Sequence, residues 1–193
     1  MTALSIEIAN WVQGLTFDDL PAEVVHSTRL RILDVLGLVL AGSQTQFGRS
    51  TRSAALSMYP PGECHVLGTG EGLGVTAAPF VNAAAAQALE YDDTHVESIV
   101  HMSGPAVASA LALSEVTAGS GRELITAIAL GNEVSCRVGS VSSGEFHKRG
   151  FHPTGLFAPF GVTYLAGKLL GLDRDQMAAA AGITGSFAAG VLE

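Results

Sequence analysis

The stretch Thr76-Ala77-Ala78-Pro79-Phe80-Val81-Asn82-Ala83-Ala84-Ala85-Ala86-Gln87-Ala88-Leu89-Glu90-Tyr91 decides the fold. Alanine is the strongest helix former, so the run predicts a helix over 76–91. Pro79 falls in the first turn, where a missing N–H costs nothing. A helix carrying only methyl groups at nearly every turn lets its neighbours come close, so this segment is expected at the centre of the packing.

The same helical period runs outward in both directions. Upstream, Leu4, Ile8, Trp11, Val12 and Leu15 share one face of a short first helix. A long helix is expected over 21–41, its apolar content widening toward Leu38-Val39-Leu40, with Gly42 as its stop. Another spans 48–58 and is broken by Tyr59-Pro60-Pro61-Gly62. Downstream, helices are expected over 105–118, 122–138 and 154–170. A last one begins at the N-cap Asp173. Cys64 to Gly68 is the one short segment expected to be extended, and Gly68 to Gly74 reads as a flexible connector. The reading is an all-α multi-helix bundle.

Composition narrows the function. The 193 residues hold 10 Lys and Arg against 18 Asp and Glu, a formal charge of −8. That argues against a nucleic-acid partner, which needs clustered positive charge. Charged residues make up 15% and hydrophobic residues 48%, where a typical soluble domain has about 25% charged. Such a chain is not disordered. Mean hydropathy is +0.37, yet the most apolar run, 77–89, is too short to span a bilayer and is interrupted by Asn82 and Gln87. The start has no basic segment before an apolar one, so no signal peptide is read there. Cys64 and Cys136 form no CxxC pair, and they read as two reduced thiols in a cytoplasmic protein without a membrane partner.

Two polar clusters stand out against the apolar background. The first is Glu90-Tyr91-Asp92-Asp93-Thr94-His95 with His101-Met102-Ser103-Gly104 following. The second is His147-Lys148-Arg149-Gly150-Phe151-His152-Pro153-Thr154-Gly155. Each lies where a loop enters a helix, where outward N–H groups favour an anion. Taken singly, His101 and His152 read as helix caps as readily as acid–base groups. Asp92, Asp93, His95 and His101 are possible metal ligands, but their spacing matches none of the stronger metal signatures, so no metal is expected.

Ala88 to His95 with His101 beyond it, and Gly150-Phe151-His152-Pro153-Thr154, resemble the MmgE/PrpD family. Arg31-Ile32-Leu33-Asp34-Val35-Leu36-Gly37, Ala166 to Leu172 and Ala181-Gly182-Ile183 extend the resemblance along nearly the whole chain. It implies that residues 1–193 are a truncated N-terminal all-helical domain. The smaller α+β lid domain and its lysine-containing segment would lie beyond. It implies a homodimer and a cofactor-free lyase on small di- or tricarboxylates, similar to 2-methylcitrate dehydratase. The alternatives are an epimerase or decarboxylase of the same family, or an inactive helical dimerisation module.

All three family reactions make or quench negative charge on a carbon beside a carboxylate, which suits histidine acid–base groups. On the resemblance, His101 and His152 are the catalytic pair. Asp93 and Thr94 orient a histidine or bind substrate, with Asp92 and His95 beside them. A polycarboxylate approaching a chain of net charge −8 needs a local positive patch. Lys148, Arg149 and Arg137 are the candidates, whereas Lys168 reads as lying on a solvated face.

Overall fold

A computed structural model describes residues 3–191. Among them the chain forms nine α-helices and one two-stranded antiparallel ladder. In order these are α1 (Leu4–Gly14), α2 (Ala22–Gly42), α3 (Gln46–Met58), β1 (Pro61–His65), β2 (Gly72–Leu73), α4 (Ala77–Gln87), α5 (Ser103–Thr117), α6 (Gly121–Ser140), α7 (Glu145–Lys148), α8 (Pro153–Leu169) and α9 (Arg174–Phe187). The all-α bundle expected from the sequence is the fold observed.

Helix starts are set by local chemistry. Thr45 accepts the Gly48 N–H at the head of α3, and reciprocal capping boxes join Ser120 to Glu123 and Asp173 to Gln176. Each satisfies backbone donors that the helix leaves open. Three details depart from the sequence reading. The extended segment lies at Pro61–His65 and is paired by β2, inside the stretch read as a connector. Gly62 and Gly72 allow this, because a Cβ on either would strike the opposite backbone. The alanine helix ends at Gln87, and Glu90 then takes a positive φ of 56° that turns the chain into the first polar cluster. Lys168 is not on a solvated face. Its Nζ donates to the Val12 and Gln13 carbonyls, both at 2.9 Å, and closes the C-terminus of α1. Burial holds its pKa below the usual lysine value.

The core gathers Val12, Val35, Val39, Val107, Ile128, Leu130, Tyr164 and Leu165. Its geometry is set by small residues. Helices α6 and α8 make the most extensive contact in the bundle. At their crossing Gly161 lies against the Gly131 carbonyl and the Ser135 hydroxyl, with no room for a Cβ. The fully buried Ser135 hydroxyl donates to the Phe157 carbonyl and accepts from the Gly161 N–H, each at 3.1 Å. It thus bridges the two ends of one helical turn beside Pro159, whose missing N–H weakens the helix locally. Gly42 of α2 meets the Ala85 carbonyl of α4 in the same close manner. No helix among the described residues is long and apolar enough to cross a membrane.

The crossing gives a direct stability prediction. Gly161→Ala should cost about 2–3 kcal/mol through overpacking, read as a fall in Tm of about 4–12 °C. A Tm unchanged within a degree would show that α6 and α8 are not held backbone to backbone.

Candidate functional site

Both singled-out histidines stand just before helices, His101 ahead of α5 and His152 as the N-cap of α8. Helices α5 and α8 pack on one another, so their N-termini open on the same side. A hydrogen bond joins the two entry loops directly: the His101 N–H donates to Thr154 Oγ1 at 2.9 Å. The imidazole rings are therefore neighbours, with centroids 6.4 Å apart and planes at 41°.

They share a cavity of about 260 Å³, walled by Phe80, Ala83, Ala84, Ala86 and Pro105, with Asp92 and Thr154 at its polar side. This lies just below the usual range for drug-sized ligands and suits a small acid. None of its lining residues is Lys or Arg.

The loop from Asp92 to Val100 orients His101. Thr94 Oγ1 lies 3.2 Å and Asp92 Oδ2 3.4 Å from its Nδ1. A carboxylate only accepts, so this arrangement favours the proton on Nδ1 and the lone pair on Nε2. The Asp92 side chain is nearly buried, which pushes its carboxyl above the usual range, while the adjacent His101 ring pulls it back down. His152 is pushed the other way. Burial first, then the neighbouring His101 and His147, lower its pKa, against a smaller opposing pull from Glu90 and Asp92. A ring so placed favours its neutral form at neutral pH.

The loop's own geometry is fixed at both ends. Besides Glu90, Ile99 takes a positive φ of 55°, a conformation costly for a β-branched residue. The His95 N–H to Val100 carbonyl bond, 2.9 Å, closes the turn. Gly139 of α6 makes room beneath it, since a Cβ there would lie 2.8 Å from the Ser98 side chain.

The remaining sequence candidates divide. Asp93 turns away from His101 toward Arg31 and Ser103, so within the acid pair it is Asp92 that touches the imidazole. His95 bonds Ser98 Oγ at 2.8 Å and lines a different hollow, of about 560 Å³, with Arg31, Asp93 and Cys136. Among the described residues, no three His, Cys, Asp or Glu side chains converge as metal ligands. Lys148 is exposed and paired with Glu145 at 2.8 Å, and Arg149 is exposed beside it. Arg137 pairs with Glu133 on the surface of α6. None of these three cations lines the histidine cavity. Thr154 was read within the second polar cluster without a role of its own, and Phe80 was not singled out from the sequence. Thr154 follows His152 by two positions, the one local signal available for it, and Phe80 reads in sequence as one more apolar residue of α4.

The chain matches the model of the MmgE/PrpD N-terminal domain over residues 6–193. A cis-aconitate decarboxylase of Aspergillus terreus is 32% identical over 197 residues, covering 99% of this chain and 40% of the relative. A cis-aconitate decarboxylase-like protein of Aspergillus oryzae is 30% identical, covering 98% and 41%. The cis-aconitate decarboxylase of Mus musculus is 28% identical, covering 97% and 40%. The chain thus spans about 40% of the length of the curated relatives it matches. The agreement runs through almost every helix described above: this protein belongs to the MmgE/PrpD family.

Proposed function

We propose that this chain carries a lyase site for small di- or tricarboxylates, with His101 and His152 moving protons at a carbon beside a carboxylate. The observation that carries the reading is the pair of imidazoles, 6.4 Å apart on one small cavity. The names of the relatives favour decarboxylation of cis-aconitate over the dehydration expected from sequence.

In a decarboxylation the C–C bond to the departing carboxylate breaks and its electron pair stays on carbon. A proton from an imidazolium then forms the new C–H bond, and CO₂ leaves. Asp92 Oδ2, 3.4 Å from His101 Nδ1, can accept that nitrogen's proton and so orient the ring as the donor. Neutral His152 then accepts a proton from solvent and passes it to the donor, which restores the starting protonation, so the turnover consumes one solvent proton. In a dehydration the same pair would act in the other order, with the base removing the C–H proton while the acid protonates the leaving hydroxide. Both need groups that titrate near the working pH.

Incubating the protein with cis-aconitate in D₂O tests the reading. Expected are release of CO₂ and one deuterium bound to an allylic carbon of the product. No CO₂ release, no dehydration of 2-methylcitrate and no hydrogen exchange would overturn it. His101→Gln and His152→Gln should each lower turnover by about 10²–10⁴-fold with the far-UV spectrum unchanged. Full activity in either variant removes that histidine from the mechanism.

The pH dependence has a definite sign. His152 acts as a base only when neutral, and its pKa lies below the ordinary 6.5. The acid limb of kcat/KM should therefore fall below pH 6.5, and stability should drop in the same window, because the unfolded chain binds the proton first. An acid limb centred above 6.5 in the wild type, unmoved in His101→Gln, would contradict the assignment of the base.

A further inference from the structure

We infer that Arg31, together with Ser103, is a positioning residue that sets the orientation of the His101 ring through Asp93. The inference rests on the reading of His101 as an acid–base group, and it adds a residue from a helix that does not line the histidine cavity.

Arg31 sits on α2, remote in sequence from either polar cluster. Its Nη1 donates to Asp93 Oδ2 and, at 3.2 Å, to Ser103 Oγ. The Ser103 hydroxyl donates to the same Asp93 oxygen at 2.7 Å. The result is a closed triangle of guanidinium, carboxylate and hydroxyl. Asp93 Oδ1 is buried without a hydrogen-bond partner among the described residues, so the compensating contacts seen there for this carboxylate arrive through the triangle. A buried acceptor that loses its donors is costly, which makes the triangle the fixed point of its loop.

What the triangle holds is specific. Asp93 lies between Asp92 and Thr94, and both of these touch His101 Nδ1. Ser103 lies two residues beyond His101, in the first turn of α5. Arg31 therefore pins the segment on both sides of the imidazole: the acceptors that choose its tautomer and the helix turn that carries it. Arginine is suited to this because its planar fork addresses two partners at once, which a lysine ammonium does less rigidly.

Two observations separate this role from the alternatives. Arg31 lines the hollow on the His95 side of the loop, not the cavity between the histidines, so it does not bind the same ligand directly. Its side chain is 43% exposed, and α2 is already packed on α4, α5 and α6, so the bundle does not depend on it for burial.

The test reads the ring itself. The imidazole ¹⁵N shifts of His101 in the 193-residue chain, assigned with His101→Gln, report which nitrogen carries the proton. Wild type should show the Nδ1-protonated tautomer. Arg31→Ala and Ser103→Ala should each move the shifts toward the average of the two tautomers, and Arg31→Lys should restore them in part. Ser103→Ala is nearly isosteric and keeps the test open if Arg31→Ala fails to fold. With cis-aconitate as probe, kcat should fall about 10–100-fold in Arg31→Ala with KM unchanged, the expected effect of a misplaced acid–base group. His101 shifts identical to wild type in Ser103→Ala and in any folded Arg31 variant overturn the inference. A moved ring in a protein that ignores cis-aconitate upholds the positioning role and removes the proposed activity instead.

Discussion

Backbone-to-backbone contact between helices is the constraint from which the rest of this structure follows. Gly42 against Ala85, and Gly161 against Gly131 and Ser135, bring pairs of helices together where ordinary side chains would hold them apart. Close contact of this kind leaves few ways to slide one helix along another, because packed interiors transmit strain instead of absorbing it. With α5 packed on both α4 and α8, the heights of α4 on α2 and of α8 on α6 are thereby fixed. So is the place where their ends meet, and the histidines occupy that place because they sit at those ends.

One short loop then does two separate things. Alternate acids point to opposite sides: Asp92 toward His101 and the small cavity, Asp93 toward Arg31 and the larger hollow. Burial acts on the cavity side in a consistent way. It raises Asp92 and lowers His152, disfavouring charge on both. One imidazole is thereby inclined to be neutral while the other stands against a carboxylate, an inequality that the proposed acid and base roles would use. Positive charge, by contrast, is not built into this wall.

The fold was legible because its signals are local. Helical period, the Asp173 cap and the alanine run each act within a few residues, and a single chain displays them. The pairing of β2 was not legible, since two residues carry no period and only the glycine contact with Gly62 explains them. Lys168 was misread for a related reason. Its partners are carbonyls at the end of α1, remote in sequence, and no pattern around Gly167 announces them. The two histidine loops could be found from their polarity against an apolar background. Which acid faces which histidine could not, because adjacent residues of an irregular loop have no fixed facing rule, and the positive φ values at Glu90 and Ile99 set it. Arg31 showed the same limit: a charged residue in a helix reads as a solvated one until its distant partner is seen.

The central claim is that His101 and His152 share one electrostatic environment. Following the C2–H resonance of His152 through a pH titration, in wild type and in His101→Gln, measures this directly. Removing the neighbouring imidazole should raise the His152 pKa toward 6.5, because that ring is one of the causes holding it down. A His152 titration identical in the two proteins would contradict the shared cavity and leave the two rings as separate helix caps.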